Sequence, residues 1–268
     1  MAIIALQSAA SGLNALNTKL DVIANNLANV NTEGYKASRA NFQDLLYIER
    51  AQPGVENPNG DERPTGLYVG LGVKVSGTQQ EFSQGAPIST GQELDLMIEG
   101  RGFFQVQVEP ELGGGTAYTR AGNFVLNSDG DIVLANDQGR RLEPNINIPQ
   151  EAVKVDVSTD GQVWYIVAGE TEPQVAGQIE LASFINPAGL RQVGENLWVE
   201  SAASGNPVVG VPGENSTGRV RQGMLEASNV DPARELIELI RTQRAYEMNS
   251  QSIRAADQAL QTIAQLRR

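Results

Sequence analysis

The amino-acid sequence predicts an α+β protein in which long N- and C-terminal helices form a coiled-coil-like domain, with an extended arm and an all-β domain inserted between them. Three observations support this prediction. Apolar residues recur every seven positions near each end, a Pro- and Gly-rich stretch follows the first helix, and short alternating apolar runs separated by turn residues fill the middle. The predicted boundaries are residues 1–32 for the first helix, 33–75 for the arm, 76–228 for the β domain and 229–268 for the last helix.

The composition excludes several kinds of chemistry. The 268 residues include no histidine and no cysteine, which removes disulfides, thiolate metal sites and the commonest general base. A net charge of −12 and a pI near 4.6 argue against binding nucleic acid through a basic surface. No stretch approaches the ~18 consecutive apolar residues of a membrane span, and the N-terminus lacks the features of a cleaved signal peptide. We therefore expect no cofactor, no metal, no nucleic acid and no membrane insertion.

The N-terminal helix is predicted from a heptad stripe. The leucines that lie seven residues apart are Leu6, Leu13, Leu20 and Leu27, and the positions between them hold Leu16, Ile23 and Val30. This spacing is that of a coiled-coil seam. The helix is expected to run from about Ile3 to Asn29. Gly34 in "NTEGY" is expected to mark its exit, because glycine readily takes the left-handed conformation that ends helices.

The C-terminal helix carries a second stripe. The residues that lie seven apart are Leu239, Tyr246, Ile253 and Leu260. Asp231 is placed to cap the helix, Pro232 suits the first turn, and Glu235 lies near the positive end of the helix dipole. The helix is expected to continue to about Leu266.

The polar face of the first helix is almost without charge. Residues 1–32 contain only Lys19 and Asp21 as charged side chains. Asn25, Asn26 and Asn29 are poor helix formers, but uncharged amides can be buried wherever each finds a hydrogen-bond partner. We therefore predict that the stripes and these asparagines form an interface with other copies, and that the termini order on assembly. The alternative is an antiparallel pair of terminal helices within a monomer.

The segment after the first helix is predicted to be an extended arm. Prolines and glycines between residues 47 and 73 exclude a helix, whereas Leu67, Val69, Leu71 and Val73 alternate as in one strand. A stretch of this length without regular elements is usually functional or disordered, and we expect it to order against neighbouring molecules. The residues singled out in the arm are Tyr47, Pro53, Gly54, Gly66, Leu67, Val69 and Val73.

The middle of the chain is predicted to be a β domain with tight hairpins. "FVLNSDGDIVL" places apolar residues on both sides of an Asp129-Gly130 turn, and "VKVDVSTDGQVWYIV" repeats the design around Asp160-Gly161. Asn127, Asp129 and Asp131 also have the spacing of calcium-loop ligands. That loop would need a glycine where Ile132 stands, so a hairpin turn is the better prediction.

No catalytic motif is evident. The "GLGV" and "GRGF" doublets lack the third glycine of a phosphate-binding loop, and no G-x-S-x-G motif occurs. Carboxylate-only catalysis would first involve Glu93, Asp95 and Glu99, but three nearby acids mean little in so acidic a chain. The sequence therefore predicts that the protein is not an enzyme.

Two long motifs resemble the bacterial flagellar rod and hook protein family. They are "ANNLANVNTEGYK" at residues 24–36 and "SNVDPARELIELIRTQRAYEMNSQSI" at residues 228–253. The phrases "GRGFFQV", "YTRAGNFVLNSDGDIV" and "GENLW" extend the resemblance over most of the chain. Within the family, "FQDLLY", "QPG" and "TGLYVGLGV" resemble the extra segment of the distal-rod branch. A proximal-rod subunit is the relative hardest to exclude.

The resemblance implies a structural subunit of the distal rod, which polymerises into a rigid tubular drive shaft that transmits torque from motor to hook. Paired terminal helices would line the tube, and residues 47–73 would stiffen it. The implied partners are further copies, proximal-rod and hook subunits, the P- and L-ring proteins and the flagellar type III export apparatus. The implied location is the basal body, spanning the periplasm, after export without a cleaved signal peptide. The alternatives are a proximal-rod or hook-type subunit, or a periplasmic glycan-cleaving enzyme.

Overall fold

The chain divides into a helix-and-arm unit and a β unit. The computed structural model describes residues 2–55, 63–169, 172–214 and 217–266. The helix-and-arm unit comprises residues 1–28, 38–79 and 231–268, and the β unit comprises residues 29–37 and 80–230. Residues 33–37, expected at the start of the arm, therefore belong to the β unit. Residues 56–62 of the predicted arm lie outside the described residues.

Both terminal helices form where the heptad stripes predict them. Helix α1 spans Ala2–Ala28 and helix α2 spans Pro232–Leu266. The predicted cap is confirmed, since Asp231 Oδ1 accepts the backbone amides of Ala233 at 3.0 Å and Arg234 at 3.2 Å. None of the helices in the described residues is long and apolar enough to cross a membrane.

Gly34 is left-handed, as predicted, but it does not end α1. Its φ is +68°, yet the helix ends six residues earlier at Ala28. A Cβ on Gly34 would lie 2.6 Å from the backbone nitrogen of Ala121, so glycine is required here by close backbone packing within the β unit.

The two helices pack against each other in antiparallel orientation. Lys19 Nζ pairs with Glu238 Oε2 at 2.9 Å, whereas Gly12, earlier in α1, lies against Asn249, later in α2. One chain thus contains the antiparallel helix pair that the sequence left open as the alternative for a monomer. An ion pair that is about one third exposed contributes little to stability, so the pairing depends mainly on the apolar stripes.

The arm is a two-stranded β-ribbon, which corrects the prediction of a segment without regular elements. Strand β1 spans Ser38–Asp44, β2 spans Tyr47–Ala51, β3 spans Leu67–Gly70 and β4 spans Val73–Gln80. Strands β2 and β3 are antiparallel, with Tyr47 opposite Gly70 and Ala51 opposite Leu67, and β1 pairs with β4. Backbone bonds from Leu45 to Gly72 and from Gly54 to Arg63 lengthen the ribbon at both ends.

The prediction of a single strand over residues 67–73 is wrong, because the extended conformation is interrupted at Gly72. Its φ is +115°, and a Cβ there would overlap the Ser11 hydroxyl of α1. The same hydroxyl accepts the Val73 amide at 3.2 Å. Close approach to α1 therefore separates β3 from β4.

The β unit contains sixteen strands in the described residues. The first eight are β5 Pro87–Ser89, β6 Leu96–Glu99, β7 Phe103–Gln107, β8 Thr116–Thr119, β9 Phe124–Leu126, β10 Ile132–Leu134, β11 Leu142–Glu143 and β12 Ala152–Val157. The rest are β13 Gln162–Val167, β14 Gln174–Gln178, β15 Leu181–Ser183, β16 Arg191–Gly194, β17 Leu197–Val199, β18 Val208–Gly210, β19 Arg219–Gln222 and β20 Met224–Glu226.

The largest sheet has the order β16-β17-β8-β7-β15-β18, and β11 also pairs with β7. Side chains alternate across β7: Phe104 and Val106 enter the main apolar core, whereas Phe103 enters a second cluster with Tyr118 and Trp198. Both faces of this sheet are therefore covered at β7, within the β unit.

Both predicted hairpins are confirmed. Strand β9 pairs with β10 across a turn in which Gly130 has φ +85°, and β12 pairs with β13 across a turn in which Gly161 has φ +82°. Positive φ is the requirement that the Asp-Gly sequences indicated. Strand β14 completes the β12-β13-β14 sheet.

Candidate assembly interface

The stripe residues lie on the less exposed side of each helix. Half-buried positions include Leu6, Leu13, Leu20 and Leu27 on α1 and Leu239, Tyr246, Ile253 and Leu260 on α2. Ile23 is almost fully buried. The pairing of α1 with α2 therefore covers the stripes only in part, and the remaining apolar surface of these side chains is accessible.

Asn26 bonds its own chain, which corrects the expectation that its side chain faces another copy. It is 1% exposed, its Nδ2 donates to the Ser38 carbonyl at 2.8 Å, and its Oδ1 accepts the Ser38 amide at 2.9 Å. Asn25 is exposed, and Asn29 Oδ1 accepts the Thr32 hydroxyl at 3.1 Å. Asn26 thus fastens the first residue of β1 to α1.

Two serines of α1 serve the arm in the same way. The Ser8 hydroxyl donates to the Gly70 carbonyl at 3.3 Å, and the Ser11 hydroxyl accepts the Val73 amide. Ser8, Ser11 and Asn26 thus account for part of the uncharged polar face of α1, because short polar side chains satisfy backbone groups of the arm that long charged side chains would hold away.

The arm itself presents apolar side chains to solvent. Leu46 is 82% exposed, and Tyr47, Leu67 and Tyr68 are each more than half exposed. Pro53 and Gly54 are exposed at the far end, whereas Gly66, Val69 and Val73 are half-buried. An isolated two-stranded ribbon is marginally stable in water, and large apolar side chains on its surface favour contact with another protein surface.

Helix α2 also carries exposed apolar residues outside the stripe positions. They are Leu236, Ile237, Ile240 and Met248. Residues three and four apart lie on the same side of a helix, so Leu236, Ile237 and Ile240 are neighbours. The helix pair thus has apolar surface beyond that used between α1 and α2.

Glu93 and Glu99, two of the three acids considered for catalysis, have structural partners for their carboxylates. Glu93 Oε2 accepts the Val155 amide at 3.0 Å, Glu99 pairs with Arg221 at 2.6 Å, and the backbone of Asp95 bridges to Asn123. The described residues contain no group of His, Cys, Asp or Glu side chains arranged to hold a metal ion.

In the turn with the spacing of calcium-loop ligands, the side chains of Asn127 and Asp131 accept hydrogen bonds from other groups of the protein. Asp131 Oδ1 accepts the Asn147 and Asn145 side-chain amides at 2.9 and 3.2 Å. These two bonds, that from Asn147 first, hold the pKa of Asp131 below its usual value. Asn127 Oδ1 accepts the Asp129 and Asp131 backbone amides, as expected of an Asx-type turn.

A buried ionic cluster in the β unit was missed from the sequence. Glu226 is 1% exposed and pairs with Lys36 at 2.6 Å and with Arg120 at 3.2 Å. Burial lowers the pKa of Lys36, while the Glu226 carboxylate opposes that change. Arg120 also donates to the Gly100 carbonyl at 2.7 Å and lies over the Phe103 ring. No local pattern identifies the cluster, because Lys36 and Glu226 are 190 residues apart.

Three segments of the chain match known protein families. Residues 6–36 match the family described as "Flagella basal body rod protein", residues 97–165 match "Flagellar hook protein FlgE/F/G D1 domain", and residues 221–266 match "Flagellar basal body rod FlgEFG protein C-terminal". The three matches follow the order of α1, the β unit and α2.

Individual relatives are similar over nearly the whole chain. The flagellar basal-body rod protein FlgG of Caulobacter vibrioides is 46% identical over 98% of this chain and 99% of its own length. FlgG of Bacillus subtilis is 40% identical over 98% of both chains. The flagellar hook protein FlgE of Salmonella typhimurium is 25% identical over 97% of this chain, so the rod proteins are the more similar group.

The helix pair, the apolar arm and these matches define a structural protein of the flagellum. The chain belongs to the flagellar basal-body rod protein family, and its full-length similarity is to the FlgG group. The prediction from the sequence is confirmed: the chain is a structural subunit of the distal rod in the flagellar basal body. As a member of this family it assembles with copies of itself and with other rod and hook subunits.

Proposed function

We propose that this rod subunit polymerises into a rigid tube that transmits torque from the motor to the hook. In this proposal the paired terminal helices form a coiled-coil-like inner layer, and the arm joins neighbouring subunits. The tube is a drive shaft, so its subunits have to resist bending and twisting together. Contacts between subunits therefore have to be extensive.

The exposed apolar surface of the arm carries the proposal. Leu46, Tyr47 and Leu67 lie on a ribbon that has no sheet on either side within the described residues of the helix-and-arm unit. Burying a large apolar side chain contributes about 1.5–3 kcal/mol. Three such residues offset much of the ~4–15 kcal/mol cost of association. A ribbon that packs across neighbouring subunits would also couple their motions, which is the requirement for stiffness.

The apolar side of α2 supports contacts of the helix layer with further copies. Leu236, Ile237 and Ile240 offer a surface that the α1–α2 pair leaves exposed. Contacts between subunits at this surface would bury the apolar side chains that the pairing of α1 with α2 leaves exposed. The terminal turns of both helices would then be held more firmly in the polymer than in the free chain.

The remaining parts of the proposal rest on family membership. We propose that the rod spans the periplasm, where it contacts the P- and L-ring proteins. Its subunits travel unfolded through the flagellar export apparatus without a cleaved signal peptide. The chain has no catalytic activity in this proposal, and a glycan-cleavage assay on the purified protein is expected to give only the background rate.

Arm variants test the polymerisation proposal. In the triple variant Leu46→Ser, Tyr47→Ser and Leu67→Ser, the folded monomer should persist because these side chains are already exposed. The critical concentration for polymerisation should rise by at least about tenfold, since each 1.4 kcal/mol of lost contact energy corresponds to tenfold. Light scattering and electron microscopy of the purified chain measure this concentration and the length and straightness of the polymers.

The matched control is Val153→Ser, because Val153 of the β unit is 71% exposed. It should polymerise like the unmodified chain. Unchanged polymers from the triple variant would contradict the role of the arm. Bent, flexible polymers from the unmodified chain would contradict the drive-shaft proposal as a whole.

A further inference from the structure

Hydrogen bonds within the β unit join the residues that adjoin three of its connections to the helix-and-arm unit. The chain passes from one unit to the other after residues 28, 37, 79 and 230. Next to three of these connections, the Ala37 amide donates to Asn229 Oδ1 at 2.7 Å, Asn229 Nδ2 donates to the Glu81 carbonyl at 2.7 Å, and the Glu81 amide donates to the Ala37 carbonyl at 2.8 Å. The Asn229 side chain thus links Ala37 to Glu81, and these three residues, each next to a different connection, form a ring of hydrogen bonds.

The buried ionic cluster lies beside this ring and joins the same segments. Glu226 Oε1 accepts Lys36 Nζ at 2.6 Å and the Gly85 amide at 2.8 Å, and Glu226 Oε2 accepts Arg120 Nη1. Lys36 Nζ also donates to the Ser83 carbonyl at 2.8 Å. Segments 34–37, 81–85 and 226–229 are therefore held to one another and, through Arg120, to the region between β8 and β9.

These side-chain bonds act together with backbone bonds beside a short strand pair. Strands β5 and β20 pair over three residues, with Pro87 opposite Glu226 and Ser89 opposite Met224. Backbone bonds from Ala227 to Ala86 and from Gly34 to Glu226 join the same segments. Force on the connections therefore has to break side-chain and backbone bonds together, and loss of the ion pairs would leave buried charges uncompensated.

We infer that Asn229, Lys36, Glu226 and Arg120, here called the clamp, are the residues through which mechanical load enters the β unit. This inference rests on the proposed drive-shaft function. The clamp positions the connections and converts force on them into rotation of the β unit as a whole. Asn229 is its most specific member, because only a side chain with both a donor and an acceptor can bridge Ala37 and Glu81.

The test compares Asn229→Ala with the unmodified chain, first as purified protein and then in a cell whose rods contain only the variant. Hydrogen exchange of the Ala37 amide should become about tenfold faster, because its acceptor is lost. Rods should form in normal number, as counted in isolated basal bodies, but flagellar rotation should fail in viscous medium at a load that unmodified rods sustain.

Two controls separate a clamp from ordinary stability. Asn186→Ala removes a side-chain bond to the Ala203 carbonyl elsewhere in the β unit, and Val163→Ala opens a cavity in its core. Both should rotate normally under load. The inference is overturned if Asn229→Ala rotates like the unmodified rod, or if Val163→Ala fails at the same load.

A third variant covers failure of assembly. If Asn229→Ala does not assemble, Asn229→Asp replaces it, because aspartate keeps the bond from Ala37 and loses the bond to Glu81. Failure of Asn229→Asp rods under load then supports the clamp, and rotation like that of unmodified rods overturns it. Failure of unmodified rods to sustain load would overturn the drive-shaft proposal, whereas equal performance of unmodified and variant rods overturns the clamp alone.

Discussion

Single polar residues of this protein act by satisfying backbone groups and charges of the same chain. Asn26 occupies both backbone groups of Ser38, and Asn127 caps its own turn by accepting two backbone amides. A buried donor or acceptor left without a partner costs about 1–3 kcal/mol, so each such side chain specifies one local conformation. Asn26 and Asn127 are therefore structural residues.

Asp131 should make stability depend on pH. Its folded-state pKa is lowered, first by the Asn147 hydrogen bond, so the folded chain binds fewer protons than the unfolded chain below about pH 4. The stabilisation is therefore present above the unfolded pKa and lost as pH falls through the folded pKa. Asp131→Asn should be less stable than the unmodified chain at pH 7, and the difference should shrink in acid.

Urea unfolding at pH 7 and at about pH 3 measures this difference. Asp129→Asn is the matched control, because Asp129 lies in the same turn with an exposed carboxylate. A deficit of Asp131→Asn that is equally large at both pH values would contradict the assignment.

Specific polar contacts join the arm to α1 in the helix-and-arm unit. The ribbon of β2 and β3 has exposed apolar residues, and its base is attached to α1 by Ser8 and Ser11. β1 is attached to α1 by Asn26. Polar side chains of the helix therefore help to fix the position of the arm on α1.

Asn26→Leu should release β1 from α1. The Ser38 amide and carbonyl would lose their partner, at a cost of about 1–3 kcal/mol, while the β unit should remain folded. Rod assembly should fall because the arm is no longer held in place. Hydrogen exchange of the Ser38 amide and urea unfolding of the purified chain measure the release.

The matched control for this change is Asn25→Leu, since Asn25 is the exposed neighbour in the same helical turn. It should leave Ser38 exchange unchanged. Equal effects of the two substitutions would mean that Asn26 does not anchor β1.

The whole molecule combines a self-contained β unit with a helix pair whose stripes are covered only in part. Phe104, Val163 and Leu181 are fully buried in the β unit, whereas the large stripe residues of the helices, Ile23 apart, are half-buried. Stability of the β unit should therefore be largely independent of assembly, and order in the helix pair should increase with it.

Leu20→Asp combined with Ile253→Asp should abolish polymerisation. Each change places a charge on a half-buried apolar stripe and should weaken helix pairing by about 1–3 kcal/mol. Circular dichroism should show loss of helical signal with the β signal retained, and electron microscopy should show no polymers.

Asn17→Asp combined with Gln251→Asp is the control, because it adds the same charge at exposed positions of the same helices. Normal assembly of the Leu20 and Ile253 variant would contradict the interface. So would loss of assembly in the control, since the added charge alone would then explain the effect.

The long helices, the helix cap at Asp231 and the two Asp-Gly hairpins could be predicted from the amino-acid sequence, because heptad spacing, capping and turn chemistry depend on residues close together in the chain. The resemblance to the rod family rested on the motifs at residues 24–36 and 228–253. The bond of Asn26 to Ser38, the division at Gly72 of the strand predicted over residues 67–73, and the pairing of Lys36 with Glu226 became evident from the three-dimensional fold alone. Those contacts arise where distant segments pass one another, and the path that brings them together is a property of the packed chain that no local pattern contains.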